Sequence, residues 1–233
     1  MHFNHRSYQK ELLDRDDVPF HAIRQNMHEL NVINTWLGGH SITIKGLRNL
    51  AESKKTITVC EIGCGGGDNL FALKNWCRKH DISAAFSGID KNSHCIEYAR
   101  SQKRNEGFDF IVNDYRDHFF AEKPDIIFSS LFCHHFSNEE IVAMLKWMKE
   151  NSGIGFFIND LHRNFFAYHS IKWLTKFFSG SYLVKNDAPL SVLRGFSKKE
   201  LELLLHQANI NNYSVKWKWA FRWLVVSSNK TND

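Results

Sequence analysis

The sequence predicts an α/β fold: a doubly wound, mostly parallel seven-stranded sheet with a C-terminal antiparallel hairpin, plus N-terminal helices and a helical lid insertion. Three observations predict it. Between Thr56 and Ile158, short β-branched or apolar runs alternate with helical stretches, the pattern of a parallel sheet covered by helices on both faces. The first fifty residues show helical spacing only. Near the C-terminus, two strand-like runs are joined by so short a connection that they must pair antiparallel.

The elements follow in order. Phe20, Ile23, Met27, Leu30 and Leu37 recur in steps near three and four and draw one apolar stripe. Pro19 suits the first turn of that helix, and Gly38 and Gly39 supply its stop. A second helix is expected from Ser41 to about Glu52. Strands are expected over Thr56–Ile62, Ala85–Ile89, Phe108–Val112, Asp125–Ser130 and Ile154–Ile158. The helices between them fall at Asp68–Lys79, Ser93–Asn105 and Asn138–Lys149, with Asp68 as the cap of the first. The fifth strand is expected to end at Asn159 and Asp160. A helix over Lys198–Gln207 is introduced by Ser197 as its cap, and Tyr213–Trp219 and Phe221–Ser227 form the hairpin.

The bulk numbers exclude several classes. A chain of 233 residues can bury a sizeable core without disulfides or metals. A net charge of +5, with no block of like charges, gives little support to a nucleic-acid partner. The five cysteines, Cys60, Cys64, Cys77, Cys95 and Cys133, are odd in number and include no Cys-x-x-Cys pair. That argues against a zinc site or a disulfide framework, and no metal is expected. Reduced thiols suit a cytoplasmic address. The polar start, Met1 to Lys10, does not read as a signal peptide. No apolar run is long enough to suggest stable membrane insertion.

The informative segment is Val59-Cys60-Glu61-Ile62-Gly63-Cys64-Gly65-Gly66-Gly67-Asp68, a strand, a glycine loop and a helix in direct succession. Such a loop brings backbone N–H groups close to an anion, and the helix N-terminus favours negative charge. The dinucleotide fingerprint Gly-x-Gly-x-x-Gly fails in both frames, because Asp68 or Leu70 falls where the third glycine belongs. A phosphate-binding P-loop is excluded by the absence of Gly-Lys-Ser/Thr. Glu61, two residues before Gly63, could instead hold an ammonium while the glycine backbone receives a carboxylate. Methionine-derived cofactors carry both groups.

At Glu61, Gly63, Gly65 and Gly67 the sequence resembles the class I S-adenosyl-L-methionine-dependent methyltransferases, of the bacterial small-molecule type. The resemblance implies that Asp90, ending Gly88-Ile89-Asp90, takes hydrogen bonds from ribose hydroxyls. It places Lys91 where the family often has an apolar residue against adenine, and Asp114, with Tyr115, near the adenine amino group. The run Asp125 to Phe136 resembles the family's fourth motif, which brings Ser130 to the cofactor and ends Leu-x-x-His-His-Phe. The resemblance covers Thr56 to Asp160 well and the terminal hairpin in outline. It implies a division of residues 1–233, taken as one domain, into a helical extension (1–52), a cofactor-binding core (53–160), a lid insertion (161–196) and a terminal helix and hairpin (197–233).

The transferred methyl sits on a sulfonium, so the protein mainly aligns the acceptor and excludes water. A hydroxyl acceptor would profit from a base. The candidates are His162 and His135 as catalytic groups, with Arg163 and Asp160 around the acceptor. His134 is expected to point away. The apolar stretch Phe165 to Phe178, with Phe166, Trp173, Leu174 and Phe177 on one helical face, suits a lid over a hydrophobic acceptor; packing within the core or in a homodimer is the alternative. The function expected is O-methylation of a phenolic, quinone-like or polyketide compound. The alternatives are an RNA or protein methyltransferase, and a binding or scaffold protein that keeps the fold. Against the former, the amino-methylating Asn/Asp-Pro-Pro-Tyr/Phe pattern is missing after the fourth strand, where Ser129-Ser130-Leu131-Phe132 stands.

Overall fold

The computed structural model describes residues 3–15, 17–51 and 54–229. Its elements are α1 (Phe20–Trp36), α2 (Gly39–Leu50), β1 (Thr56–Ile62), α3 (Asp68–Lys79), β2 (Ser83–Asp90), α4 (Ser93–Ser101), β3 (Asp109–Val112), β4 (Ile126–Ser130), α5 (Asn138–Asn151), β5 (Gly155–Leu161), α6 (Phe165–Phe178), α7 (Tyr182–Arg194), α8 (Lys198–Gln207), β6 (Tyr213–Lys218) and β7 (Arg222–Ser228). The strands form one sheet in the order β3-β2-β1-β4-β5-β7-β6. Strands β1 to β5 are parallel to one another, and β7 is antiparallel to both β5 and β6. The order reverses between β1 and β4, which opens a crevice at the C-terminal strand ends, where such sheets bind ligands.

Both faces of the sheet are covered, so its central strands are apolar throughout rather than alternating. On one face, Ile127, Phe156, Ile158, Trp223 and Val225 pack with residues of α5 and α8. On the other, Ile126, Phe128, Phe157, Leu224 and Val226 pack with residues of α2, α3 and α4. Adjacent residues of one strand thus serve opposite layers, as a two-residue repeat requires. Helix α2 approaches closely because Gly46 has no side chain: a Cβ there would lie 2.4 Å from the Phe157 ring. Ser197 caps α8, its hydroxyl accepting from the Glu200 N–H at 3.3 Å.

Several boundaries differ from the sequence reading, each for a physical reason. Helix α2 starts at Gly39, because Gly38 adopts a left-handed conformation and caps it; Glu52, its expected end, lies outside the described residues. Gly67, also left-handed, rather than Asp68, caps α3; the Asp68 carboxylate pairs with Arg104. Strand β5 continues through Asp160 to Leu161, because β7 pairs with it along that whole length. Among the described residues, no helix is long and apolar enough to cross a membrane.

Candidate active site

The crevice at the β1/β4 reversal opens into a cavity of about 1090 Å³. Its sheet-side wall is built by the loops after β1, β2 and β4: Glu61, Gly63, Gly65, Asp90, Lys91 and Ser130 all line it. Other parts of the wall come from the N-terminal segment, from α1, α6 and α7, and from the β6–β7 turn.

The glycine loop holds its shape by backbone geometry. Gly63, Gly65 and Gly67 have φ of +65°, +50° and +75°, a region open to glycine at little cost. A Cβ on Gly63 would lie 2.2 Å from the Phe132 ring. The Gly65 N–H donates to Asp90 Oδ2 at 3.0 Å, and the Asn92 N–H donates to Asp90 Oδ1 at 2.9 Å. The loop therefore spends one N–H in orienting the acid rather than offering it to a ligand. Burial pushes the Asp90 carboxyl up, opposed by those two N–H donors.

Glu61 is buried at the cavity wall. Its Oε1 accepts from Asn69 Nδ2 at 2.9 Å, while Oε2 has no hydrogen-bond partner. Burial raises this carboxyl well above the usual range, Asn69 opposes the shift, and Asp68 and Asp90 add to it. A buried, half-satisfied carboxylate facing a cavity fits an ammonium group. Arg222 is the complementary feature. Its Nη2 donates to Asn34 Oδ1 at 2.7 Å, its Nη1 is unpartnered, and burial lowers its pKa to about 10. An unpartnered guanidinium N–H fits a carboxylate. The chain thus presents an acid and a base in one cavity, which suits the amino-acid end of a methionine-derived cofactor.

The same cavity also holds an imidazole–carboxylate cluster. His134 and His135 lie on the short turn Cys133–His135 after β4. Glu11 and Asp14 come from the N-terminal segment, which Arg6 anchors by donating to the carbonyl oxygens of Arg194, Phe136 and His134 at 2.9, 3.0 and 3.2 Å. The Leu12 and Leu13 N–H groups anchor it further by donating to the two Asp187 oxygens at 2.8 and 3.0 Å. His134 Nδ1 is 2.7 Å from Asp160 Oδ1. Burial disfavours the charged His134, but Asp160 and Glu11 overcome that and raise its pKa to about 9. Burial would raise Glu11, yet His134, His135 and Ser191 hold it below the usual carboxylate range.

The remaining expected residues fall outside this wall. His162 is not on the cavity; its ring packs against Trp223, with centroids 4.9 Å apart. Arg163 is buried in structural hydrogen bonds, donating to Phe3 O at 2.8 Å, Gly195 O at 2.6 Å and Glu200 Oε1 at 2.8 Å. Asp160, inside β5 rather than at its end, reaches the cluster only through His134. Asp114 is tied to Arg116, and Tyr115 packs edge-on against Phe132, Phe136 and Trp147; neither lines the cavity. His134, expected to point away, lines it. On α6, Ala167, Ile171 and Leu174 face the cavity, whereas Phe166, Trp173 and Phe177 are 68%, 57% and 65% exposed.

Strand order, glycine loop and acid-lined crevice together define a class I S-adenosylmethionine-dependent methyltransferase. The family described as "Methyltransferase domain" matches residues 53–172, more than half of the chain, and the chain belongs to that family. No curated protein sequence matches it. Among solved structures, the chain is similar to the plantazolicin methyltransferase BpumL in complex with SAH. The TM-score is 0.67 at 16% identity, over 91% of this chain and 95% of that one. It is also similar to human N-acetylserotonin methyltransferase in complex with SAM, with a TM-score of 0.64 at 15% identity over 91% and 57% of the two chains. A third similar structure is magnesium protoporphyrin IX methyltransferase from Synechocystis with bound SAH, with a TM-score of 0.52 at 13% identity over 93% and 90%.

Proposed function

We propose that the protein methylates a hydroxyl oxygen of a small hydrophobic acceptor of phenolic, quinone-like or polyketide type. The observation that carries this reading is a single cavity that combines Glu61 and Asp90, an apolar wall from α6 and α7, and the imidazole–carboxylate cluster. The bound cofactor supplies a methyl on a sulfonium, a strong leaving group. Asp90 retains acceptor capacity for the ribose hydroxyls, Glu61 Oε2 takes the ammonium, and Arg222 takes the carboxylate. Gly63 and Gly65 allow close approach, and Lys91 and Ser130 complete that wall.

On the acceptor side, Ala167, Ile171, Leu174, Val184 and Val192 enclose an apolar body and exclude water, with residues 161–196 acting as the lid. Of the two imidazoles in the cluster, His135 is the more accessible, its side chain 19% exposed against 2% for His134. It takes the hydroxyl proton, and Asp14, 3.0 Å from its Nδ1, stabilises the resulting imidazolium. The acceptor oxygen then forms a bond to the methyl carbon while the sulfur keeps the electron pair of the broken bond. Phenols, with a pKa of about 10, need such a base.

A panel of phenols assayed for methyl transfer tests this. Turnover of at least one phenol is expected. His135→Gln should lower kcat by roughly 10²–10⁴-fold, and His162→Gln should leave it within about threefold. A folded, SAH-binding protein that methylates no phenol, or an unaffected His135→Gln variant, overturns the reading.

A further inference from the structure

The cluster at the acceptor end is arranged as a metal centre. Glu11, His134 and His135 offer three ligand atoms, all within 4.8 Å of one another. His134 Nε2 faces Glu11 Oε1 at 3.5 Å, and His135 Nε2 faces Glu11 Oε2 at 3.8 Å. The His134 ring is almost fully buried, yet its Nε2 has no hydrogen-bond partner. The far nitrogen of each ring lies near a second carboxylate. Asp160 Oδ1 stands 2.7 Å from His134 Nδ1 and is hydrogen-bonded to it, whereas Asp14 Oδ1, 3.0 Å from His135 Nδ1, is out of line for a hydrogen bond, so that nitrogen is buried without a hydrogen-bond partner. Metal-bound imidazoles almost always present their far nitrogen to a hydrogen-bonding group, and the Asp160 bond fixes the His134 tautomer that leaves Nε2 for the ion.

We propose that Glu11, His134 and His135 bind a divalent cation of the zinc class. The proposal rests on the hydroxyl-acceptor reading and deepens it, by placing a Lewis acid where the acceptor loses its proton. Two imidazoles and one carboxylate form a donor set that zinc accepts with a fourth position open. Bonds of about 2.0–2.2 Å at tetrahedral angles put ligand atoms roughly 3.4 Å apart, so the three atoms, which lie within 4.8 Å of one another, must draw together around the ion, with one Glu11 oxygen as ligand and Oε1 also accepting from the Ser191 hydroxyl at 2.7 Å. The charges allow it. Glu11, Asp14 and Asp160 surround the two rings, against Arg194, which lies 4.0 Å from Glu11 and 3.6 Å from Asp14. Arg6 touches His134 only at its carbonyl oxygen.

The ion does two things. It ties the N-terminal segment to the turn after β4, closing that side of the cavity. It also lowers the pKa of a hydroxyl bound at its open position. With the ion present, the Nε2 lone pair of His135 is engaged, so the ion replaces His135 in assisting deprotonation, the base role given above belonging to the metal-free protein, and the hydroxyl proton leaves to water. The oxygen then takes the methyl as before.

Full-length protein stripped with chelator, dialysed against zinc chloride and analysed by atomic emission tests the proposal. In parallel, melting with and without zinc and SAH calorimetry are run on the same samples. The expected result is one zinc per chain, a melting temperature raised by zinc, and uptake at least about tenfold weaker in Glu11→Gln and His135→Gln, both still binding SAH. Equal zinc uptake by wild type and variants marks binding at histidines elsewhere and overturns the proposal. A wild type that binds SAH but retains no zinc overturns it too, leaving methyl transfer intact. Zinc held by a protein that binds no SAH supports the metal site and removes the methyl-transfer reading. Should the variants fail to fold, the visible spectrum of the cobalt-loaded wild type decides: intense four-coordinate bands support the site, and the weak spectrum of the hydrated ion overturns it.

Discussion

Replacing Glu61 by Gln separates what this residue does for folding from what it does for the cofactor. The amide keeps an oxygen for Asn69 and removes the charge. In the ligand-free protein the Glu61 carboxylate is fully buried and Oε2 is unpartnered. An unsatisfied buried polar group costs about 1–3 kcal/mol, and more when charged. Glu61→Gln should therefore stabilise the ligand-free protein by about 1–3 kcal/mol near pH 7, at about 2–4 °C in Tm per kcal/mol for a chain of this size. The effect has a defined pH dependence. The folded carboxyl binds its proton more tightly than the unfolded one. Ligand-free stability is thus fully present below the ordinary Glu pKa of about 4.3 and is lost as pH rises through the elevated folded value. The advantage of Gln should vanish at low pH. For the cofactor the sign reverses, because the variant loses a charge-assisted bond to the ammonium, worth about 1.5–3 kcal/mol, or roughly 10- to 150-fold in SAH affinity. Thermal melts over a pH series and SAH calorimetry measure both. A variant less stable at pH 7, or one that binds SAH like wild type, would refute the reasoning that Oε2 is reserved for a cation.

Three further outcomes are expected. Asp90→Ala should weaken SAH binding at least tenfold, about 1.4 kcal/mol, by calorimetry, since both carboxylate oxygens are already oriented by N–H donors. Gly63→Ala should cost several kcal/mol in urea melts, roughly 1–3 from overpacking against Phe132 plus about 1–2 from its positive φ; Gly107→Ala, also at positive φ but with nothing within 4 Å, should cost only about 1 kcal/mol. Arg163→Met should destabilise the fold by about 2–4 kcal/mol, through the loss of Glu200 and three carbonyl partners, while SAH affinity of the folded protein stays within about threefold.

The sheet and the strand-end wall of the cavity were legible because their signals are local, whereas Asp114 and Tyr115, expected on that wall, lie off it. A strand, a glycine loop and a helix in succession fix the position of Glu61, Gly63 and Gly65, and Asp90 follows from the end of the next strand. The acceptor side depends on contacts across long stretches of chain. Glu11 and Asp14 sit in a segment without apolar periodicity, which Arg6, Leu12 and Leu13 tie to Phe136, Asp187 and Arg194, all more than about 120 residues further along the chain. Asp160 was expected where the fifth strand ends; its partner Trp223 in β7, about sixty residues later, extends the strand past it. With Asp160 inside the sheet, His134 turns toward it and into the cluster, and His162 falls beside Trp223 instead of at the acceptor. Arg222 carried one signal, a charge heading the apolar run Trp223–Val226, read only as part of a hairpin. The α6 face was read as Phe166, Trp173, Leu174 and Phe177; of these Leu174 lines the cavity, beside Ala167 and Ile171.

The two sides of the cavity are made from different material. Cofactor-side groups hang on strand ends whose register is shared by the whole sheet, so a change there disturbs the core. The apolar acceptor-side groups hang on α6 and α7, neither of which contributes a sheet strand. Evolution can therefore rewrite the chemical preference of such a protein at lower risk to its folding, and laboratory selection for new acceptors has its most permissive positions at the half-buried Ile171 and Leu174.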